Sequence, residues 1–420
     1  MLGLFAGLLG MFNEGVMVFI ASSLGVFMVS WGMSGGQVGL CFGVSVSLVF
    51  VMMLLVVWYM VSLSSGWGWE SFVGVCMVFL NIIMVTFLGS STWFTLYVMY
   101  EGMVLPLFIC LLFWGGYFER VSSGVFLIMY TISLSVPLMF LVINGGWEGV
   151  GSSNFLVGFQ VSGCVLVFLS FMVKVPVWGL HGWLPKVHVE APTWGSMVLA
   201  GVVIKLGLYG LWIMSVSCDA CMMDILTIVV AVWWLVGGVV GGSMCLLIGD
   251  LKAIIAYSSI IHMSLAGLMC MVVGYLGVSS FVLIGVAHGF VSSVLFWFVG
   301  SGAQEVGGRS VYLWWGVIQL FSMSGFMLSI SLVLNMGFPI SGGFYGEILS
   351  FMALSVYSYV LVVFVVTIYL FLGCLFNLYL LVVMVSRGWE GVSSAGVVGC
   401  LAVLLVYTVV SSTLLSAYLV

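Results

Sequence analysis

The sequence predicts an all-α, polytopic membrane protein of about 14 transmembrane helices. Three observations carry that expectation. The 420 residues hold only seven Lys or Arg and twelve Asp or Glu, where a soluble domain of that length carries roughly a hundred charges. Hydrophobic residues make up 64% of the chain, enough for about thirteen bilayer crossings at roughly twenty apolar residues each. Apolar runs of helix length recur from end to end. A water-soluble globule is excluded, as are tandem nucleic-acid-binding domains, long disordered tails and disulfide-stapled secreted folds.

Breaks at Gly, Pro, Ser or charged clusters delimit the spans in order: 1–12, 16–31, 38–62, 71–88, 92–113, 124–143, 154–184, 193–217, 225–247, 252–273, 278–300, 312–355, 357–385 and 395–417. The first is short, which leaves thirteen as the alternative count. No Lys or Arg precedes Arg120, so neither a secretory n-region nor an Arg-rich transit peptide is expected. The ten Cys are scattered singly through apolar stretches, as buried thiols are. Gly 55, Phe 31, Met 28 and Trp 17 against Pro 6 favour G- and T-rich codons and point to a biased organellar genome.

The connections divide by charge. Arg120, Lys186, Lys252, Arg309 and Arg387 fall after spans five, seven, nine, eleven and thirteen, whereas the even-numbered connections carry Glu148, Asp219 and Asp224. Short loops rich in Lys and Arg stay on the side of synthesis, so the odd connections are expected to face the inner compartment and both termini the outer one.

Six ionisable residues remain at membrane depth: Glu101, Lys174, Lys205, His262, His288 and Glu347. A charge at mid-bilayer costs roughly 2.5–3.5 kcal/mol on insertion scales, so such residues face a bundle interior or a wet cavity and mark ion or proton paths. One pair, such as Glu101 with Lys174, could be a static ion pair. Six residues spread over six spans point instead to a titratable relay, for which His and a buried Lys are suited.

Two spans carry breaks at these residues. Pro176 follows Lys174, and proline removes a helical hydrogen bond. Pro339, Gly342 and Gly343 precede Glu347 in the overlong span twelve. Span five carries Glu101 and span ten His262; span seven carries Lys174 and span twelve Glu347. The offset of five spans, being odd, predicts two inverted five-helix repeats. The expected parsing is N-terminal transmembrane helices over 1–90, a first repeat over 71–217, a second over 225–385, and a C-terminal helix over 395–420.

The segment Lys174-Val-Pro-Val-Trp-Gly-Leu-His-Gly-Trp-Leu-Pro-Lys186, continuing through Val187-His-Val-Glu-Ala-Pro192, Gly195-Ser-Met-Val-Leu199 and Lys205-Leu-Gly-Leu-Tyr-Gly210, resembles the chain 4 family of mitochondrial NADH:ubiquinone oxidoreductase, respiratory complex I. Tyr100-Glu101 with Pro106, Trp114-Gly115, Glu119-Arg120, Asp250-Leu-Lys-Ala-Ile-Ile-Ala-Tyr-Ser-Ser259 with His262-Met263, Ala287-His-Gly-Phe-Val-Ser-Ser293 and Gly346-Glu347 extend the likeness over about 92–350. The resemblance implies an antiporter-type, proton-pumping subunit of the membrane arm in the mitochondrial inner membrane, odd loops toward the matrix and both termini toward the intermembrane space. It implies that Glu101 is the carboxylate whose pairing with Lys174 switches coupling, that Lys174 is the lysine at the break of the seventh helix, that Lys205 and His288 belong to the central axis with His262, and that Glu347 leads to the exit. It also implies the antiporter-like chains 2 and 5 and membrane lipids as partners. No nucleic acid is expected, nor any cofactor in this chain, with NADH, FMN, iron-sulfur clusters and ubiquinone held by other subunits. A chain 5 homologue would carry a long lateral helix after its last span, where about three residues follow here, and chains 2 and 5 resemble each other in placing Lys at the position of Glu347. Thr193 and Trp194 depart from the family pattern, which has small or aliphatic residues there.

Other signals are weaker. Cys218-Asp-Ala-Cys221 lacks ligand partners, so no metal site is expected. Gly237-Gly-Val-Val-Gly-Gly242 lies in an apolar helix with no preceding strand, so helix packing is expected rather than phosphate binding. Lys186, His188 and Glu190 read as a solvated surface or contacts to neighbours, with local structure favoured for His188. A multi-subunit cation/proton antiporter with a Na⁺ site, and an inert spacer of the membrane arm, are the alternatives to the relay.

Overall fold

The computed structural model describes residues 72–385, apart from 117, 146–160, 218–223, 273, 321, 340 and 356–358, together with scattered helical positions between 46 and 61. The predicted spans at 1–12, 16–31 and 395–417, most of 38–62 and the start of 154–184 lie outside the described residues. So do Glu148, Asp219, Arg387 and the Cys218/Cys221 pair.

Every described element is helical. In order they are α1 (Phe72–Leu88), α2 (Trp93–Gly102), α3 (Val104–Trp114), α4 (Arg120–Gly145), α5 (Val161–Lys174), α6 (Trp183–Glu190), α7 (Thr193–Val198), a π turn (Leu199–Val203), α8 (Ile204–Ser217), α9 (Asp224–Leu247), α10 (Leu251–Met271) and α11 (Tyr275–Val306). A 3₁₀ turn (Val311–Trp314) leads to α12 (Val317–Leu320), α13 (Ser322–Asn335), α14 (Gly342–Ser355) and α15 (Tyr359–Val385). Seven helical stretches among the described residues are long and apolar enough to cross a membrane. Helix ends fall within a few residues of the sequence breaks, because Gly, Pro and charged residues punctuate otherwise featureless apolar runs.

Both predicted breaks exist. Proline at 176 has no N–H for the helical ladder, so α5 stops at Lys174 and the chain resumes as α6 at Trp183. Indole donors satisfy carbonyls freed there: Trp183 Nε1 donates to Val173 O at 3.0 Å and Trp233 Nε1 to Trp178 O at 2.9 Å. The second break is narrower than the sequence suggested. It falls between Asn335, which ends α13, and Gly342, and both Gly342 and Gly343 already belong to α14; with Ser341 Oγ accepting from Phe344 N at 3.2 Å, the serine caps the helix and the two glycines fall inside its first turn.

The most apolar stretch of the span built from α7, the π turn and α8 is wholly buried, and α10 and α11 are buried over 83% and 89% of theirs. By contrast α4 is buried over a third of its window and points Val121, Val125, Met129, Val136 and Phe140 outward. Apolar side chains turned out and polar ones turned in are what a lipid or protein-covered perimeter requires. The glycine motif of α9 is packing: a Cβ on Gly238 would fall 1.9 Å from Tyr369 Oη and one on Gly242 2.9 Å from Leu372, so α15 lies directly against bare helix backbone.

One face gathers connections distant in sequence. Arg309 Nε pairs with Asp250 Oδ2 at 2.8 Å and its guanidinium also donates to Val189 O at 3.3 Å. Lys252 Nζ donates to Ala191 O at 3.2 Å. The two cations thus cap the C-terminal carbonyls of α6, where positive charge is favoured.

Candidate functional site

Lys174 ends α5 because proline two residues on leaves nothing to continue the ladder, and its ammonium is only 1% exposed. The group lies 3.2 Å from the centroid of the Tyr100 ring and donates to Tyr100 O. Glu101 follows Tyr100 at the end of α2, where Pro106 and the break at Met103 interrupt the helix. The two charges interact electrostatically, yet the ion pairs formed among the described residues within 4.0 Å are His262–Glu347 and Arg309–Asp250. The expected Glu101–Lys174 pairing is therefore a proximity without contact.

Gly207 of α8 lets that helix close on the break, since a Cβ there would meet Val175 N at 3.1 Å and Lys174 Cβ at 3.2 Å. Two residues before Gly207 stands Lys205, 1% exposed. The π turn just ahead of it widens the helix and shifts the hydrogen-bond register, and the Lys205 ammonium donates to Ala200 O within that turn. On its other side Lys205 Nζ lies 2.9 Å from His288 Nδ1. Gly289 permits this approach, as a Cβ at that position would sit 3.4 Å from Lys205 Cε.

From His288 the row continues. The His288 and His262 ring centroids are 5.5 Å apart, and His262 Nδ1 lies 3.7 Å from Glu347 Oε1. A small cavity of about 20 Å³ adjoins them, bordered by His262, His288, Asn335, Gly337 and Glu347. That is room for one water with several polar neighbours. Gly337 has φ +76° and a Cβ on it would stand 2.8 Å from Glu347 Oε2, so glycine serves there both the left-handed backbone and the carboxylate. A second cavity runs from His262 and Glu347 toward Tyr369 and Gly373 of α15.

All six sequence-predicted residues are thus described. Lys205, His288, His262 and Glu347 form one buried row, with Lys174 and Glu101 at its near end across Gly207. His262 sits in the middle, between His288 and Glu347. Sequence reasoning missed Tyr100 as the immediate neighbour of the Lys174 ammonium, the Ala200 carbonyl and Gly337. No residue pattern marks a π turn, whereas adjacency to Glu101 could have pointed to Tyr100.

The solvated-surface alternative is corrected for His188 and Glu190, while local structure, the favoured reading of His188, holds. They are not a solvated loop surface but part of α6, His188 at 0% and Glu190 at 5% exposure, because the chain re-enters the core after the break. His188 stacks on Phe296 with ring centroids 4.6 Å apart and 5° between planes. Burial, then Lys252 and Lys205, pushes its pKa down to about 3. Burial raises Glu190, against the pull of Arg309. Lys186 stays exposed, with its ammonium 3.7 Å from the centroid of the Phe126 ring.

Residues 90–373 match the family model described as NADH:quinone oxidoreductase/Mrp antiporter, TM, well over half of the 420 residues. The chain belongs to this family. Its relatives bear out the chain 4 resemblance: it is 32% identical to NADH-ubiquinone oxidoreductase chain 4 of Albinaria caerulea over 73% of this chain and 71% of that one. Identity is 36% to chain 4 of Artemia franciscana, over 68% and 73% respectively. Matches to curated relatives span from 61% to 73% of their length. In fold it is similar to a chain of respiratory complex I from Thermus thermophilus with bound NADH, with a TM-score of 0.76 at 16% identity over 88% of this chain and 79% of that one.

Proposed function

We propose that the chain is a proton-translocating subunit of the membrane arm of NADH:ubiquinone oxidoreductase in the mitochondrial inner membrane. The observation that carries the reading is the buried row Lys205–His288–His262–Glu347, with steps of 2.9, 5.5 and 3.7 Å. Protonated Lys205 donates to His288 Nδ1, which leaves the proton of neutral His288 on Nε2. A water in the adjoining cavity would complete the path to His262 and Glu347. Glu101 and Lys174 set the charge at the near end of this row, and a charge change there shifts the affinity of Lys205 for its proton through Coulomb interaction in a low-dielectric interior.

Family membership supports the setting. In it the chain has fourteen spans in two inverted repeats, the face bearing Arg309 and Lys252 meets the matrix, both termini meet the intermembrane space, and chains 2 and 5 are neighbours. Electron transfer from NADH through FMN and iron-sulfur clusters to ubiquinone takes place in other subunits. The test uses the assembled complex. Glu101→Gln and Lys174→Ala are each expected to cut the proton-to-electron ratio and the coupled turnover; unchanged values in both would sink the relay and leave an inert spacer. The antiporter half of the family description favours a second reading, cation/proton exchange, which predicts Na⁺-dependent proton movement with NADH oxidation blocked.

A further inference from the structure

The ammonium of Lys174 has two possible resting places on consecutive residues, and one of them is occupied. Its Nζ lies over the Tyr100 ring at 3.2 Å from the centroid and donates to the carbonyl of the same residue. That carbonyl belongs to the last turn of α2, where helix carbonyls lack their usual donors. Glu101, one residue on, makes no ion pair with it within 4.0 Å. Its Oε1 is buried with no hydrogen-bond partner among the described residues, so the carboxylate is open to receive the ammonium.

The ring, by contrast, is fixed. Tyr100 is 1% exposed, and its hydroxyl donates to Ser170 O at 2.9 Å, one helical turn before Lys174. Phe171 meets it edge-on at 5.0 Å between centroids and Phe87 stacks at 6.1 Å. The aromatic face is thereby tied to the helix that carries the lysine, while the lysine keeps four rotatable bonds. A desolvated aromatic face attracts a cation without supplying a counter-charge, so the ammonium can leave Glu101 and remain charged.

We propose that Tyr100 is a positioning residue that holds the Lys174 ammonium as the alternative to Glu101, giving this lysine two docking stations on one helix turn. The inference rests on the relay reading above. In one arrangement Lys174 sits on Tyr100 and Glu101 is free to exchange its proton. In the other Lys174 neutralises Glu101, and the positive charge moves from the Tyr100 ring to the carboxylate one residue on.

The test is a double-mutant cycle in the assembled complex, with assembly scored by NADH oxidation with an artificial acceptor and coupling by NADH-driven proton translocation. Tyr100→Phe keeps the aromatic face and is expected to retain coupling within about twofold, whereas Tyr100→Met keeps the bulk without it and is expected to lose about threefold. Combined with Glu101→Gln, which removes the other station's charge, Tyr100→Met is expected to lose about tenfold more than the product of the single effects. Tyr100→Leu repeats the cycle should the Met variant not assemble. Multiplicative effects, or equal losses in Tyr100→Phe and Tyr100→Met, would overturn the proposal. Lys174→Ala separates the two levels: pumping abolished there, together with a multiplicative cycle, removes the Tyr100 inference alone, and pumping unchanged both there and in Glu101→Gln removes the relay itself.

Discussion

His188 shows at single-residue scale what burial does to a titratable group. Its ring is 0% exposed, and neither nitrogen has a hydrogen-bond partner among the described residues, so the neutral form is the one the fold accepts. Folded, it protonates near pH 3; unfolded, near its ordinary value of 6.5. As pH falls through 6.5 the unfolded chain takes up the proton first. The stability His188 permits is therefore full above 6.5 and is lost below it, at roughly 1.4 kcal/mol per pH unit. Thermal denaturation of the assembled complex at pH 7 and pH 5 should show a smaller acid loss for His188→Phe, which can still stack on Phe296, than for the native chain; identical losses would refute the assignment. The six ionisable residues inside the helix bundle were legible because a charge in an apolar run stands out one residue at a time. His188 was legible only in part: local structure was its favoured reading, but its neighbours Lys186 and Glu190 give it the look of a loop, and only the return of the chain as α6 takes it inside.

At the scale of elements, legibility followed the breaks. Pro176 and Pro339 announce interrupted helices, and both were found, whereas Pro137 stays inside the continuous α4, so a missing N–H permits a break without compelling one. The π turn at Leu199–Val203 was invisible, because it is a matter of register among residues that would form an ordinary α-helix just as well. Departures from pattern are accommodated in pairs: a Cβ on Gly300 would overlap Thr193 Cγ2 at 2.0 Å, and Trp194 turns its ring edge-on to Trp114 at 6.1 Å. The α9–α15 contact gives a prediction of the same kind. Gly238→Ala must displace Tyr369 Oη, which bonds Ser264 Oγ at 2.8 Å and Trp234 O at 3.0 Å, and is expected to destabilise by about 1–3 kcal/mol. Gly373→Ala, with open space around its Cβ, is the control and should be neutral or slightly stabilising. Thermal inactivation of the two variants compares them directly; equal midpoints would show that the helices have room to part.

For the whole molecule, the charge alternation along the sequence and the gathering of Asp250, Lys252, Arg309 and the end of α6 on one face are independent observations with one geometric meaning. Connections after spans seven, nine and eleven lie together. Membrane-impermeant maleimide should therefore label Gly116→Cys, in the connection after span five, only from the matrix side. Tyr275→Cys, in the connection after span ten, should label only from the opposite side. Labelling of both from one side would overturn the span order. Gly116 has open space around it and Tyr275 is half exposed, so neither substitution disturbs the core.

The cap on α6 also has a consequence in time. Val189 is reached 120 residues before Arg309, and at synthesis rates of about 5–20 residues per second the delay is roughly 6–24 s. Throughout that interval the end of α6 has been made but its arginine has not. The helix that follows the first break is thus complete well before its cap, and the wait ends only when Arg309, just past the end of α11, has been made.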